Sequence, residues 1–494
     1  ENAECIRKKR PKLVRTEAFG RLALSWTLDL PQKTDKIMIK HFIVLALLLC
    51  FGSVNAQNQF SKAQVLDDLS FLKNSLEESH YNLYAYTSKE KFNQNYQAIK
   101  ESIQQDSLSS LTVTSLFQRV ISKANVGHTY IDFPVQPYVN YGETGGTLFP
   151  LEIAFENGKP LVRKNWSDNE MIKTGAEVIS INGKKMEEIL SEIYPLISAE
   201  QPYFKNAKLE LFSFPRYYWQ IFGQQDVFEV KVRIGKKIKK YSLESVPVFE
   251  GYEDKRSEIF THEMSLKFLE QSAHLKIGSF GGDEQKYQQF IDSAFIEINK
   301  KESKNLIIDL RNHDGGNNSL GDYLVSYFAD KPFTWCSEFR LKTSKLLKAH
   351  TRSKYDTTAT YWKEVLSHKD GEIYNYGFEK YDPQPKEKRF QGEVYVLVNR
   401  QSYSQSAVTA AQIQDYGFGT IVGEETGEYP TLYASNYQYT LPNTGIIVHV
   451  SKGYMIRVNG SEKQEGVIPD ILIKDYLLDE KDEVLEGLLE RIRE

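Results

Sequence analysis

The chain has 494 residues, 40% hydrophobic and 26% charged, with 62 Lys and Arg against 66 Asp and Glu for a formal charge of -4. That length and balance predict a folded protein of about two to four domains, and the absence of a long basic run after residue 60 gives no reason to expect nucleic acid as a partner. With 30 glycines and 16 prolines, collagen-like and low-complexity architectures are excluded.

Met38, Lys40 and His41 precede the apolar run 42–51, which leads to Val54 and Ala56, the small residues of a secretory cleavage site. Residues 1–56 are therefore expected to be an upstream extension plus a signal peptide starting near Met38, cleaved after Ala56 for periplasmic or secreted release. A membrane-spanning helix needs about 20 apolar residues, so no stable span is expected. Cys50 follows Leu49 rather than a small residue, which argues against lipidation there. Past residue 56 only Cys336 remains, so neither a disulfide nor a thiol-bound metal is predicted, and Cys336 is expected to be packed.

Ser61 and Gln64 form a capping-box pattern, with Val65, Leu69, Leu72 and Leu76 at helical spacing behind it. Residues 57–135 are predicted to be a helical unit ending in a strand after Gly127-His128-Thr129. From 146 to 248 short β-type runs alternate with turn signals, including Asn157-Gly158 and Asn182-Gly183, which predicts a small β-rich domain. Residues 260–475 carry short buried-strand patterns at Leu306–Leu310 and Val394–Val398 separated by helical stretches, predicting an α/β core. A charged and aromatic insertion, 331–392, interrupts it without clear periodicity. Residues 476–494 end in an amphipathic helix.

Two strand-to-helix junctions carry the chemistry. Asp309-Leu310-Arg311-Asn312-His313-Asp314-Gly315-Gly316 ends a buried strand in a double glycine, whose N–H groups suit an oxyanion site at Gly315 and Gly316. At the second junction Ser404 opens a helix, where its hydroxyl and the following N–H, that of Gln405, lie at the positive end of the helix dipole. A serine there is more often an ordinary N-cap, and a double glycine alone is more often a tight turn.

These junctions, with Gly127-His128-Thr129, Ile172–Lys184, Val422-Gly423-Glu424-Glu425-Thr426-Gly427 and Gly466-Val467-Ile468-Pro469-Asp470, resemble one superfamily. It is the serine peptidases that include C-terminal processing proteases, the tricorn protease core and interphotoreceptor retinoid-binding protein. The resemblance implies a ClpP/crotonase-like core, and Ile172–Lys184 looks like a PDZ-domain segment, the kind that takes up an extended peptide. Processing proteases use a lysine where this chain has Tyr429, so the tricorn-like branch is implied, with Ser404 as nucleophile and His128 as base. Imidazole suits that role because its unperturbed pKa of about 6.5 lies near neutrality.

The resemblance places a glutamate shortly before Gly466. Glu462 is taken as the third member, with Glu465 and Glu425 as alternatives. His313 stands where the family motif has asparagine. The expected function is hydrolysis of peptides or unfolded proteins through an acyl-enzyme on Ser404, without cofactor or metal. The alternative is a catalytically decayed binding protein on the same scaffold.

Overall fold

A computed structural model describes residues 59–256, 259, 263–478 and 481–494. The expected extension and signal peptide, residues 1–56, lie outside the described residues.

The capping box at Ser61 is formed. Its hydroxyl accepts the Gln64 N–H while the Gln64 side chain accepts the Ser61 N–H, starting helix α1 (Lys62–Ser79). Val65, Leu69, Leu72 and Leu76 make up its buried face. Helices α2 (Lys89–Ser102) and α3 (Ser110–Ile121) complete the N-terminal unit. A two-residue strand, Tyr130–Ile131, then leaves this unit to pair with His449 and Val448 of the strand Ile447–Ile456.

Five antiparallel strands follow in the order β5-β4-β3-β2-β1: β1 (Leu151–Glu156), β2 (Lys159–Asn165), β3 (Glu177–Ile181), β4 (Val227–Ile234) and β5 (Lys237–Glu244). Both Asn-Gly pairs turn with positive φ, at 52° and 75° for Asn157 and Gly158 and at 49° and 82° for Asn182 and Gly183. Two-residue turns of this hand match the twist of adjoining strands. Helix α4 (Pro202–Phe212) crosses from this sheet toward the core and carries Lys208 and Glu210 inward.

The core sheet runs in chain order: β6 (Ser265–Leu269), β7 (Ser272–Lys276), β8 (Asn305–Asp309), β9 (Glu393–Val398), β10 (Thr420–Gly423) and β11 (Ile471–Leu472), parallel from β7 onward. One face packs on helices α5 (Glu284–Lys300), α6 (Asn318–Val325) and α7 (Gln405–Tyr416), through Leu306, Ile308, Val396, Ile291, Leu324 and Ile413. The other face is covered by α8 (Glu483–Arg493), where Val484 and Leu488 meet Ile307, Leu397 and Val422. Strands covered on both faces read as continuous apolar runs.

The insertion is more ordered than its sequence suggests. It forms a strand (Glu338–Lys342), helices Lys345–Lys354 and Thr360–Ser367, and a strand (Ile373–Asn375). Each of these helices buries only one or two residues, such as Leu347 and Val365, so no periodic stripe marks them. Trp335, Phe339, Leu341 and Leu347 instead join Leu72, Leu76 and Phe92 in one core shared with the N-terminal helices.

Candidate active site

Strands β8 and β9 are parallel neighbours with Asp309 opposite Leu397, so their C-terminal ends open side by side. The Leu310 N–H donates to the Leu397 carbonyl at 2.9 Å, and the Ser402 hydroxyl donates to the Leu310 carbonyl at 2.6 Å. Asn399 Oδ1 accepts the N–H groups of Asn312 and Gln401. This lacing brings the two junctions together. A Cβ on Gly315 would fall 2.6 Å from Ser404 Cβ and from the Gln405 nitrogen, and 2.9 Å from Ser404 Oγ.

Ser404 occupies the N-cap place of α7, yet its side chain makes no capping hydrogen bond. Its backbone sits at φ 57° and ψ -132°, a conformation that costs a non-glycine residue about 1–3 kcal/mol. Such strain persists only where the surroundings hold it, and here they do. Arg400, in the turn before it, is buried among Glu210 at 2.8 Å, Glu156 at 3.0 Å and Glu424 at 3.3 Å. Burial opposes charge on Arg400, but those carboxylates more than offset it and raise its pKa. Glu424, with the longer contact, is pushed up to about 7 by burial.

His128 reaches this turn from the N-terminal unit. Its loop is tied down by the Thr129 hydroxyl, which donates to Ser451 Oγ at 3.0 Å, and by the Gly127 N–H, which donates to Glu200 Oε1 at 2.6 Å. The carboxylate that meets the imidazole is Glu428. Its Oε2 lies 3.3 Å from His128 Nε2, within ion-pair reach but without hydrogen-bond geometry, and accepts the Ser404 N–H at 2.6 Å, so one oxygen stands between the imidazole and the serine backbone. The Glu428 side chain is only 1% exposed. Burial works against its ionised form, but His128, Lys208 and the Ser404 N–H outweigh it and hold the carboxyl below its usual range. Among the described residues, no hydrogen bond joins Ser404 Oγ directly to His128.

Of the residues singled out in the sequence, Ser404, Gly315 and Gln405 come together, and His128 joins them through Glu428. Glu462 does not. It is exposed, and its carboxylate accepts the Tyr454 hydroxyl at 2.8 Å. Glu465 faces Lys463 at 3.6 Å, and Glu425 accepts the Gly466 N–H at 2.8 Å. The Gly315 N–H also departs from expectation: it donates to His313 Nδ1 at 3.0 Å, a consequence of the histidine at that place in the motif. Gly316, at φ 131°, packs against the Phe280 backbone, where a Cβ would fall 2.2 Å from the Phe280 carbonyl oxygen. The Gln405 N–H opens a helix and has no acceptor within its own first turn.

The fold also brings Glu428 and Glu200 to this turn, two residues without a motif of their own in the sequence. Glu428 adjoins Tyr429, the place where a lysine is expected, so an acid beside it was the available signal. Glu200, in the segment before α4, had none. Cys336 is buried, its thiol pushed up to about 12, which removes it as a nucleophile at neutral pH. Among the described residues no group of three His, Cys, Asp or Glu could hold a metal ion, and no helix is long and apolar enough to cross a membrane.

The parallel α/β core thus brings a strained serine at a strand-to-helix turn, a histidine and a buried glutamate to one place. Residues 271–473 match the model of peptidase family S41. A 110-residue stretch is 33% identical to the tail-specific protease of Haemophilus influenzae, covering 20% of this chain and 16% of that protein. The fold is that of mature CPAF complexed with lactacystin, with a TM-score of 0.63 at 15% identity over 87% of this chain and 98% of that one. A crystal structure of mature CPAF gives 0.61 at 14% identity, over 87% and 96%.

Proposed function

We propose that the protein is an exported serine peptidase acting on peptides or unfolded proteins. Ser404 Oγ attacks the scissile carbonyl and passes its proton to His128, which returns it to the leaving amine. The acyl-enzyme is then hydrolysed by water activated on the same imidazole. Glu428 orients and stabilises the imidazolium in place of Glu462. Nucleophile and base close the remaining separation when substrate binds, since catalytic hydrogen bonds often tighten only in the complex. The Gln405 N–H, with that of Gly316, receives the oxyanion, while His313 holds the Gly315 N–H and thereby fixes the turn. Export rests on the Met38–Ala56 pattern, and the PDZ-like segment is a second place for an extended peptide.

The observation that carries this reading is the uncapped, strained Ser404 joined by one glutamate oxygen to His128. Labelling with a fluorophosphonate probe tests it: the native chain is expected to be labelled and Ser404→Ala not at all. The missing Oγ–imidazole hydrogen bond and the occupied Gly315 N–H favour a second reading, a binding protein on the peptidase scaffold. A folded native chain that takes no label and turns over no peptide would establish that reading instead.

A further inference from the structure

We propose that Glu200 is a positioning residue for this centre, a role that rests on the peptidase reading: it seats the His128 loop and pairs with Glu428, keeping Glu428 aligned on the imidazole and on the Ser404 N–H. One of its oxygens, Oε1, holds the Gly127 N–H at 2.6 Å. The other, Oε2, is buried without a hydrogen-bonding partner among the described residues, and so is Glu428 Oε1. Both crowd one spot, because a Cβ on Gly127 would lie 2.8 Å from Glu428 Oε1 and 3.0 Å from Glu200 Oε2. Two orphaned carboxylate oxygens at one buried place repel when both carboxyls are ionised, and that cost falls if one of them keeps its proton.

Charge balance selects which one keeps it. Glu428 has His128, Lys208 and the Ser404 N–H on its side and is the ionised partner. Glu200 is raised by burial and by the Glu428 carboxylate. The groups facing Glu200 are Glu428 and Tyr429 from the turn after β10, Lys208 and Lys205 from α4, the Gly127 N–H from the His128 loop, and Tyr86 from the N-terminal unit. Lys208 supplies one positive charge, with its Nζ on the Gly127 and Ser198 carbonyls, and Lys205 is pushed down to about 8 by burial. One full negative charge is matched and a second is not.

The test is the rate of Ser404 labelling by a fluorophosphonate from about pH 5 to about pH 9 in the native chain, Glu200→Gln and Glu200→Ala. The native rate is expected to fall on the alkaline side as Glu200 loses its proton and the paired carboxylates repel. The amide of Glu200→Gln cannot ionise, so that variant is expected to stay within about twofold of the native rate at its optimum and to lose the alkaline decline. Glu200→Ala is expected to be slower by about tenfold or more throughout. An alkaline decline in Glu200→Gln equal to the native one overturns the proposal, as does a Glu200→Ala rate equal to the native rate. If Glu200→Ala does not fold, the native and Glu200→Gln profiles decide alone. A native chain that never labels overturns the peptidase reading and this role with it, whereas labelling with unshifted profiles removes Glu200 only.

Discussion

Two buried acid clusters border the Ser404 turn and are balanced in different ways. Glu156 and Glu210 are hydrogen-bonded to Arg400, a guanidinium that stays charged at any relevant pH, and Gln401 adds a further bond to Glu210. Glu200 and Glu428 have Lys208 and whatever charge His128 carries. The first cluster ties β1 and α4 to the loop that ends in Ser404 and serves as a clamp. The second has fewer fixed charges, so its state depends on protons, the same currency the reaction uses. Stiffness and responsiveness are thus assigned to different glutamates around one turn.

Removing the clamp should have the largest effect. Arg400→Leu leaves Glu210 buried without its main cation and Glu156 with Lys474 alone, and breaking a pair of this kind costs about 3–5 kcal/mol. Urea denaturation should show that loss, and one below about 1 kcal/mol would mean that the cluster is not a clamp. Next is Gly315→Val, whose side chain would press on Ser404 Cβ and the Gln405 nitrogen. Displacing the Gln405 N–H from the oxyanion costs about 3 kcal/mol in the transition state, so kcat should fall far more than KM rises, with circular dichroism confirming the fold. Unchanged turnover would move the oxyanion site away from this turn. Smaller again is Glu428→Gln, which keeps the shape but removes the charge facing His128; about 2 kcal/mol in kcat/KM is expected. Glu462→Gln, at an exposed site, should change kcat/KM by less than about 0.5 kcal/mol. The reverse order for these two would restore Glu462 as the partner of His128.

Local rules made much of the fold legible. The Ser61 capping box, the two Asn-Gly turns and the apolar strands 305–309 and 393–398 each follow from a few adjacent residues. Ser404 and Gly315 were legible for the same reason, since each sits where a buried strand turns into a helix. The insertion was not, because its apolar residues are satisfied by helices far away in the chain and need no stripe of their own. Glu428 was obscured by alignment: the residue next to it filled the place reserved for a lysine, and only the path of the turn shows which side chain points at His128. Glu200 meets Gly127 across a gap in sequence that no local pattern spans.

The strand Tyr130–Ile131 gives the protein a built-in order of events. The imidazole rides just ahead of that strand, which finds its partner only in residues 448–449, and Thr129 is pinned to Ser451. On the proposed reading the base is therefore seated only when residues 448–451 are in place, so a segment far along the chain holds the histidine at the serine turn.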